Sequence, residues 1–223
     1  MNWPQIDDMS AKVPLPHGYR FEQLKRSEIP LLTNSLRDWY PDITVGSSSC
    51  YLREDFYTRA VFLAGESETD VIVILVKSDQ ELAAMFSCER DRDTLALYGR
   101  LGAVAPKHRG AHLGPTGLVL MEFVGRAMGM GITYGMATLK HPYMQRALEE
   151  LGFQHIGITP GYDRDMVAPG VVKRVYEAVY AKVLVPDEEL LLPQARDLTP
   201  KTRALFDALF PEKLARGERV TKA

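Results

Sequence analysis

The stretch Val104-Ala105-Pro106-Lys107-His108-Arg109-Gly110-Ala111-His112-Leu113-Gly114-Pro115-Thr116 closes an apolar, strand-like run and opens a helix-like one. A chain presents free backbone N–H groups at such a junction. The first four amides of a helix have no internal partner, and the helix dipole adds partial positive charge there. Arg109 stands one short loop earlier and adds a full charge. Pro115 suits the first helical turn, because the N–H it lacks would have gone unpaired anyway. The chemistry this segment offers is a cradle for a phosphate, although a loop-to-helix junction is also compatible with a plain turn.

The elements that would hold this segment follow from periodicity. Tyr19 to Leu24 alternates at period two and predicts a strand. Ser27 can cap a helix running to about Tyr40, with Ile29, Leu32, Leu36 and Trp39 on one face and Pro41 as its stop. Gly46 to Ser49 reads as a loop, and Tyr51 to Ala64 as helical first and irregular later. Asp70 to Lys77, Glu81 to Arg90 and Thr94 to Val104 form a three-strand meander. Gly99 and Gly102 interrupt its last strand, as at a bulge or a close backbone approach. A helix from Pro115 to Met128, a strand from Ile132 to Leu139, a helix from Pro142 to Leu151 and a strand from Phe153 to Ile158 follow. Thr159 to Gly170 reads as a loop, and Val171 to Val185 as a long strand. Residues 1–17 read as a loose N-terminal arm, residues 18–185 as one domain, and residues 186–223 as a C-terminal extension with one helix, Thr199 to Phe210.

Bulk composition narrows the partners. With 223 residues, 46% hydrophobic and 25% charged, the chain is ordinary for one globular domain with extensions. A net charge of −2 and the lack of a basic face with interleaved aromatics argue against nucleic acid. No apolar run approaches the ~20 residues that span a bilayer, so no membrane is expected. Met1 to Pro16 holds Asp7, Asp8 and three prolines rather than the apolar segment of a secretory signal. Cys50 and Cys88 are too few for a disulfide framework and read as free thiols. The expectation is a cytoplasmic protein.

The order strand, helix, helix, three-strand meander, helix, strand, helix, strand, strand resembles the GNAT superfamily of acyl-CoA-dependent N-acetyltransferases over about residues 18–185. Two segments carry the likeness. Val104 to Gly114 is similar to the family's V-x-P-x-x-R-G-x-G-x-G signature, and Ala147-Leu148-Glu149-Glu150-Leu151-Gly152-Phe153 is similar to its helix ending in a Gly-Phe pair. The resemblance implies an α+β fold: a mixed, mostly antiparallel seven-strand sheet, splayed between its fourth and fifth strands, with helices on both faces. It implies acetyl-CoA in the gap, no metal, and an amine acceptor. Gly102, Ala103, Val104, Arg109, Gly110, Ala111, His112, Leu113, Gly114, Thr116 and His141 would bind the cosubstrate. The strand edge at Gly102 to Val104 could pair with the pantetheine amides as another strand would. A backbone N–H near Val104 could hold the oxyanion of a tetrahedral intermediate.

Two departures stand out. His112 occupies the place of the first motif glycine, where positive φ would cost a histidine energy. Leu148 stands where many members have the tyrosine that protonates the departing thiolate, and His141 where they often have asparagine.

Acyl transfer to an amine needs a base, donors for the oxyanion and a proton for the thiolate. Glu89 and Tyr98, on strands bordering the expected cleft, are the candidate bases. Glu89 beside Arg90 and Arg92 also fits a solvated hairpin end, and Tyr98 fits core packing. Tyr143, opening the helix next to the expected sulfur, is the candidate acid, with Tyr134 and Tyr162 behind it. His108, His112, His141 and His155 show no metal-ligand spacing. Cys88 lacks a paired base, and Tyr176 with Tyr180 reads as core or interface. The expected function is N-acetylation of a primary amine of a small molecule or amino acid. The alternative is a catalytically silent acyl-CoA-binding sensor or assembly subunit. The tail after Pro186 would cover the cleft or, in a homodimer, a neighbouring subunit.

Overall fold

Continuous burial along two central strands, Val71–Ser78 and Glu81–Asp91, puts a sheet covered on both faces at the centre. The computed structural model describes residues 1–79 and 81–211. The strands are β1 (Tyr19–Gln23), β2 (Val61–Phe62), β3 (Val71–Ser78), β4 (Glu81–Asp91), β5 (Ala96–Val104), β6 (Ile132–Thr138), β7 (Gln154–Ala168) and β8 (Val171–Val183). Their order is β1-β3-β4-β5-β6-β8-β7, with the two-residue β2 paired to β3. Eight strands therefore replace the expected seven. The extra one comes from the segment read as irregular, where Val61 and Phe62 lie parallel to Val71 and Ile72. Every other pairing is antiparallel except β5 with β6.

Six α-helices complete the described residues: α1 (Ile6–Lys12), α2 (Ile29–Trp39), α3 (Glu54–Ala60), α4 (Leu113–Ala127), α5 (Tyr143–Glu150) and α6 (Pro200–Leu209). Odd and even positions of β3 go to opposite cores, as a pleated strand requires. Ile72, Ile74 and Val76 pack with Leu120, Met121 and Val124 of α4 and Leu148 of α5. Val73 and Leu75 pack with Leu32 and Leu36 of α2 and Tyr57 of α3. Helices thus cover both faces.

Three segments differ from expectation. Residues 1–17 are not a loose arm: they carry α1, and Trp3, Met9 and Val13 are buried in the α4-side core. The Arg90 guanidinium lies 4.9 Å over the Trp3 ring and donates to the Met1 carbonyl at 3.1 Å. Residues 159–168, expected as loop, continue β7. Cross-strand pairing with β8 as far as Val171 overrides the turn residues. Pro160 and Gly161 are absorbed where the register shifts between Thr159 and Asp163, with Gly161 at φ 67 and its carbonyl accepting from Arg174 Nη1 at 2.9 Å. Ser27 caps nothing; the Glu28 carboxylate accepts from the Lys25 N–H instead.

By contacts the chain divides into Met1–Leu184 and a second unit beginning at Val185. In the second unit Thr199 caps α6 by accepting from the Thr202 N–H at 3.2 Å. Residues 212–223 of the expected extension lie outside the described residues. No helix among the described residues is long and apolar enough to cross a membrane.

Candidate active site

The site begins where β5 and β6 part. Ala96–Gly99 pairs in parallel with Ile132–Gly135, and there the pairing stops, while β5 runs on to Val104 and β6 to Thr138. A cavity of about 380 Å³ opens in the gap. Gly99, Gly102 and Val104 line one side, Met136, Ala137 and Thr138 the other. Gly114, Gly117 and Met121 of α4 and Met144 and Leu148 of α5 also line it. The glycine at position 99 has a packing reason: a Cβ there would run into the Met121 sulfur.

The β4–β5 register shifts at this point. Cys88 faces Gly99 but Ser87 faces Leu101, so Arg100 is an extra residue in β5. Such a bulge re-aims side chains. Leu101 packs against the α2-side core and Arg100 lines the cavity on that same face, where strict alternation would have separated them.

At the far end of the gap, α4 begins. The amides of Gly110, His112, Leu113 and Gly114 donate to no protein acceptor among the described residues. Those of Ala111 and Thr116 are taken by the His108 and His112 carbonyls, both at 3.3 Å. Four free donors at the head of a 15-residue helix make an anion cradle. It opens on an outer cavity of about 1080 Å³ that Gly110, His112, Gly114, His141 and Tyr143 help to line. Gly110 has φ 93, and His112, the N-cap residue, has φ 57 and ψ 18. The departure from glycine at 112 therefore meets a left-handed backbone. His112→Gly is expected to raise unfolding free energy by about 0.5–1 kcal/mol, measured by urea denaturation.

Several expected binding residues sit elsewhere. Arg109 does not aim into the cradle. Its Nε donates to the Val104 carbonyl at 3.4 Å and its Nη2 to the Trp39 carbonyl at 3.3 Å, while its guanidinium lies 5.1 Å from the Tyr40 ring centre. The carbonyl end of α2, with its partial negative charge, holds it there. Thr116 is buried and its hydroxyl donates to the His112 carbonyl at 3.1 Å, so it has no donor left for a ligand. The Ala103 side chain points into the α2-side core, Leu113 offers only its amide because its side chain is buried, and Ala111 packs against the α4-side core. The Val104 N–H is not free: it donates to the Tyr40 hydroxyl at 3.2 Å, and that hydroxyl contacts the Val104 carbonyl at 3.2 Å.

On the sheet face opposite α4, a second cavity of about 420 Å³ adjoins the first, lined by Ser47, Tyr51, Glu89, Tyr98, Arg100, Tyr134, Met136 and Tyr162. Two expected catalytic residues meet here. Glu89 is ion-paired with Arg100. The Tyr98 ring stacks on Tyr134 at 5.1 Å. Burial, then the neighbouring Tyr162, pushes the Tyr98 hydroxyl well above the ordinary tyrosine range, which makes it a poor proton acceptor at neutral pH. Tyr143 lies apart from both, 73% exposed on the outer cavity, with its ring 5.0 Å from that of His141. Leu148 is buried in the gap wall and offers no proton. Cys88 also lines the gap, with its thiol pushed up to about 12 by burial. Tyr180 is buried with its hydroxyl donating to Glu149 at 2.6 Å, whereas Tyr176 is exposed. Among the described residues no His, Cys, Asp or Glu group is placed to hold a metal.

The residue that sequence reasoning missed is Glu177. It lies on β8 opposite Thr138, and lines both the gap and the outer cavity. Burial first, then the carboxylates of Asp163 and Asp165, push its carboxyl up to about 7. Asp163 is fixed by the Ser47 N–H at 2.8 Å and the Ser47 hydroxyl at 2.7 Å, which ties the 46–49 segment to β7. The signal was a lone acid inside Val175–Val179, an otherwise apolar and aromatic run.

No protein-family model matches the chain. No curated protein matches it in sequence. Solved structures do match. A mutant form of the spermidine N-acetyltransferase SpeG from Vibrio cholerae aligns with a TM-score of 0.61 at 12% identity, over 75% of this chain and 95% of that one. The ribosomal-protein-S18-alanine N-acetyltransferase from Escherichia coli aligns with a TM-score of 0.57 at 14% identity, over 78% and 99%. A ribosomal-protein-S5-alanine acetyltransferase from Vibrio fischeri aligns with a TM-score of 0.58 at 11% identity, over 75% and 94%. The fold is that of the GNAT N-acetyltransferases.

Proposed function

We propose that the chain is an N-acetyltransferase that moves the acetyl group of acetyl-CoA to a primary amine of a small molecule or amino acid. One observation carries this reading: four unpartnered amides at the head of α4 open onto the outer cavity, which shares Val104, Thr138 and Glu177 with the gap between parted parallel strands. The amides of Gly110, His112, Leu113 and Gly114 fit a diphosphate, and the gap beside Gly102 is lined along both strands for an elongated arm. Acetyl-CoA, when bound, supplies the acetyl group as a thioester. Tyr40 leaves the Val104 edge when the arm pairs there.

Glu177 is the base. Its carboxylate takes the proton of the incoming ammonium, and the freed nitrogen forms the new bond to the acetyl carbon as the bond from that carbon to sulfur breaks. With its carboxyl pushed up to about 7, it titrates near the pH at which a general base works best. His141 and Tyr143, at the mouth of the gap, are the groups able to give the leaving thiolate its proton. The free Cys50 and Cys88 thiols fit a reducing, cytoplasmic setting.

Leu148 in the gap wall favours one second reading, a binding protein without turnover. Calorimetric titration with acetyl-CoA, followed by thiol release against an amine panel, separates them. Binding with turnover supports the enzyme, binding without turnover on the whole panel supports the silent protein, and no binding overturns both.

A further inference from the structure

Arg100 is the one lysine or arginine lining either the gap or the adjoining cavity among the described residues. Resting on the acetyltransferase reading, we propose that the acceptor is an α-amino acid, with its carboxylate held by Arg100 and its amine by Glu177.

Three observations lead there. The first is the bulge. Arg100 lies where the strands part, beside Gly99 and on the face of Tyr98, and the extra residue in β5 turns Leu101 onto that same face beside it. The second is the state of its donors. A guanidinium has five N–H groups. Nη1 is paired with Glu89, Nη2 reaches the Cys50 sulfur at 3.8 Å, and Nε is buried and makes no well-aligned hydrogen bond. A thiol is a weak acceptor, and buried donors left unpaired are uncommon enough to require an explanation. The Phe56 ring, 5.7 Å from the guanidinium, and the Tyr51 hydroxyl beside it hold the fork in place.

The third is the opposite wall. Across the gap, Glu177 and Asp163 bring two carboxylates to the β7–β8 side, and among the described residues lining the gap itself Arg100 is the one lysine or arginine. The gap is therefore polar in a directed way, with guanidinium donors beyond the Glu89 pair on β5 and acid on β8. A ligand that reverses this order has a carboxylate at one end and an ammonium at the other. Tyr98, Tyr134 and Met136 between them offer an apolar wall for a side chain. A simple alkyl or aryl amine would leave the guanidinium donors as they are, unsatisfied.

The test uses matched pairs: tyrosine against tyramine, and leucine against isoamylamine, with the amino-acid methyl esters as a third arm. In the unmodified protein, kcat/KM for each amino acid is expected to exceed that of its carboxylate-free partner by at least about tenfold, mostly through KM, with the esters resembling the amines. Arg100→Gln should bring that ratio to about one. Arg100→Lys should recover part of it, because it keeps the charge and loses the fork. Circular dichroism melts check that the variants fold, and the ratio in the unmodified protein decides the matter if they do not. Amines turned over as well as or better than amino acids overturn the assignment and leave the acetyltransferase reading standing. No transfer to either member of any pair overturns both.

Discussion

Gly114→Glu should weaken acetyl-CoA binding at least about 100-fold while leaving the melting temperature unchanged or slightly higher. A Cβ at position 114 meets nothing within 4 Å, so the fold accepts the side chain. The new carboxylate sits in the first turn of α4, where negative charge favours the helix by about 0.3–1 kcal/mol. The same charge competes for the free amides of Gly110, His112 and Leu113 and repels a diphosphate. Like charges about 4 Å apart cost about 1 kcal/mol in water and about 4 kcal/mol near a protein surface, and 100-fold lies between these limits. Gly114→Gln, with nearly the same bulk and no charge, should lose about tenfold or less. Calorimetric titration and a thermal melt read both. A Gly114→Glu protein that binds acetyl-CoA as tightly as the parent would remove the cradle from the argument.

Glu177→Gln should lower kcat/KM for the amine by about 10²–10⁴, the range of a general base. The pH profile makes the loss specific. Burial and the Asp163 and Asp165 carboxylates push the Glu177 carboxyl up to about 7, and the base is its ionised form. In the parent, kcat/KM should therefore rise with pH through about 7 and level off, and in the variant that limb should vanish. Stability runs the other way. The folded value is raised above the ordinary 4.5, so this group's contribution is fully present below 4.5 and is lost as pH rises through about 7. Glu177→Gln should flatten that decline in urea midpoints measured between those pH values. A variant that kept both the rate and the limb would assign the base elsewhere.

The elements were legible because their signals are local. The α4 and α5 stripes, the β3–β5 meander and the Gly152-Phe153 turn each rest on periodicity or capping within about a dozen residues. The junction at 104–116 was legible for the same reason, since free amides at a helix start follow from backbone geometry alone. What failed was local reasoning applied to long-range partners. Pro160 and Gly161 signal a turn, yet thirteen residues of β8 supply enough pairing to keep β7 going past them. Nothing near residues 1–17 announces that Trp3 and Met9 would be buried against strands and α4.

The site shows the same division. The chain's own order of residue types determined the secondary elements, the free amides at the head of α4 and the left-handed strain at His112, because each is a property of a short backbone segment. Only the tertiary structure decided which charges share the gap. A one-residue bulge turned Leu101 onto the face of Arg100, pairing of β6 with β8 brought Glu177 opposite Thr138, and the end of α2 drew Arg109 away from the loop before α4. Sheet register and helix docking connect residues tens of positions apart, and they, not neighbours in sequence, set the burial and the field that turn an ordinary carboxyl into one titrating near neutrality.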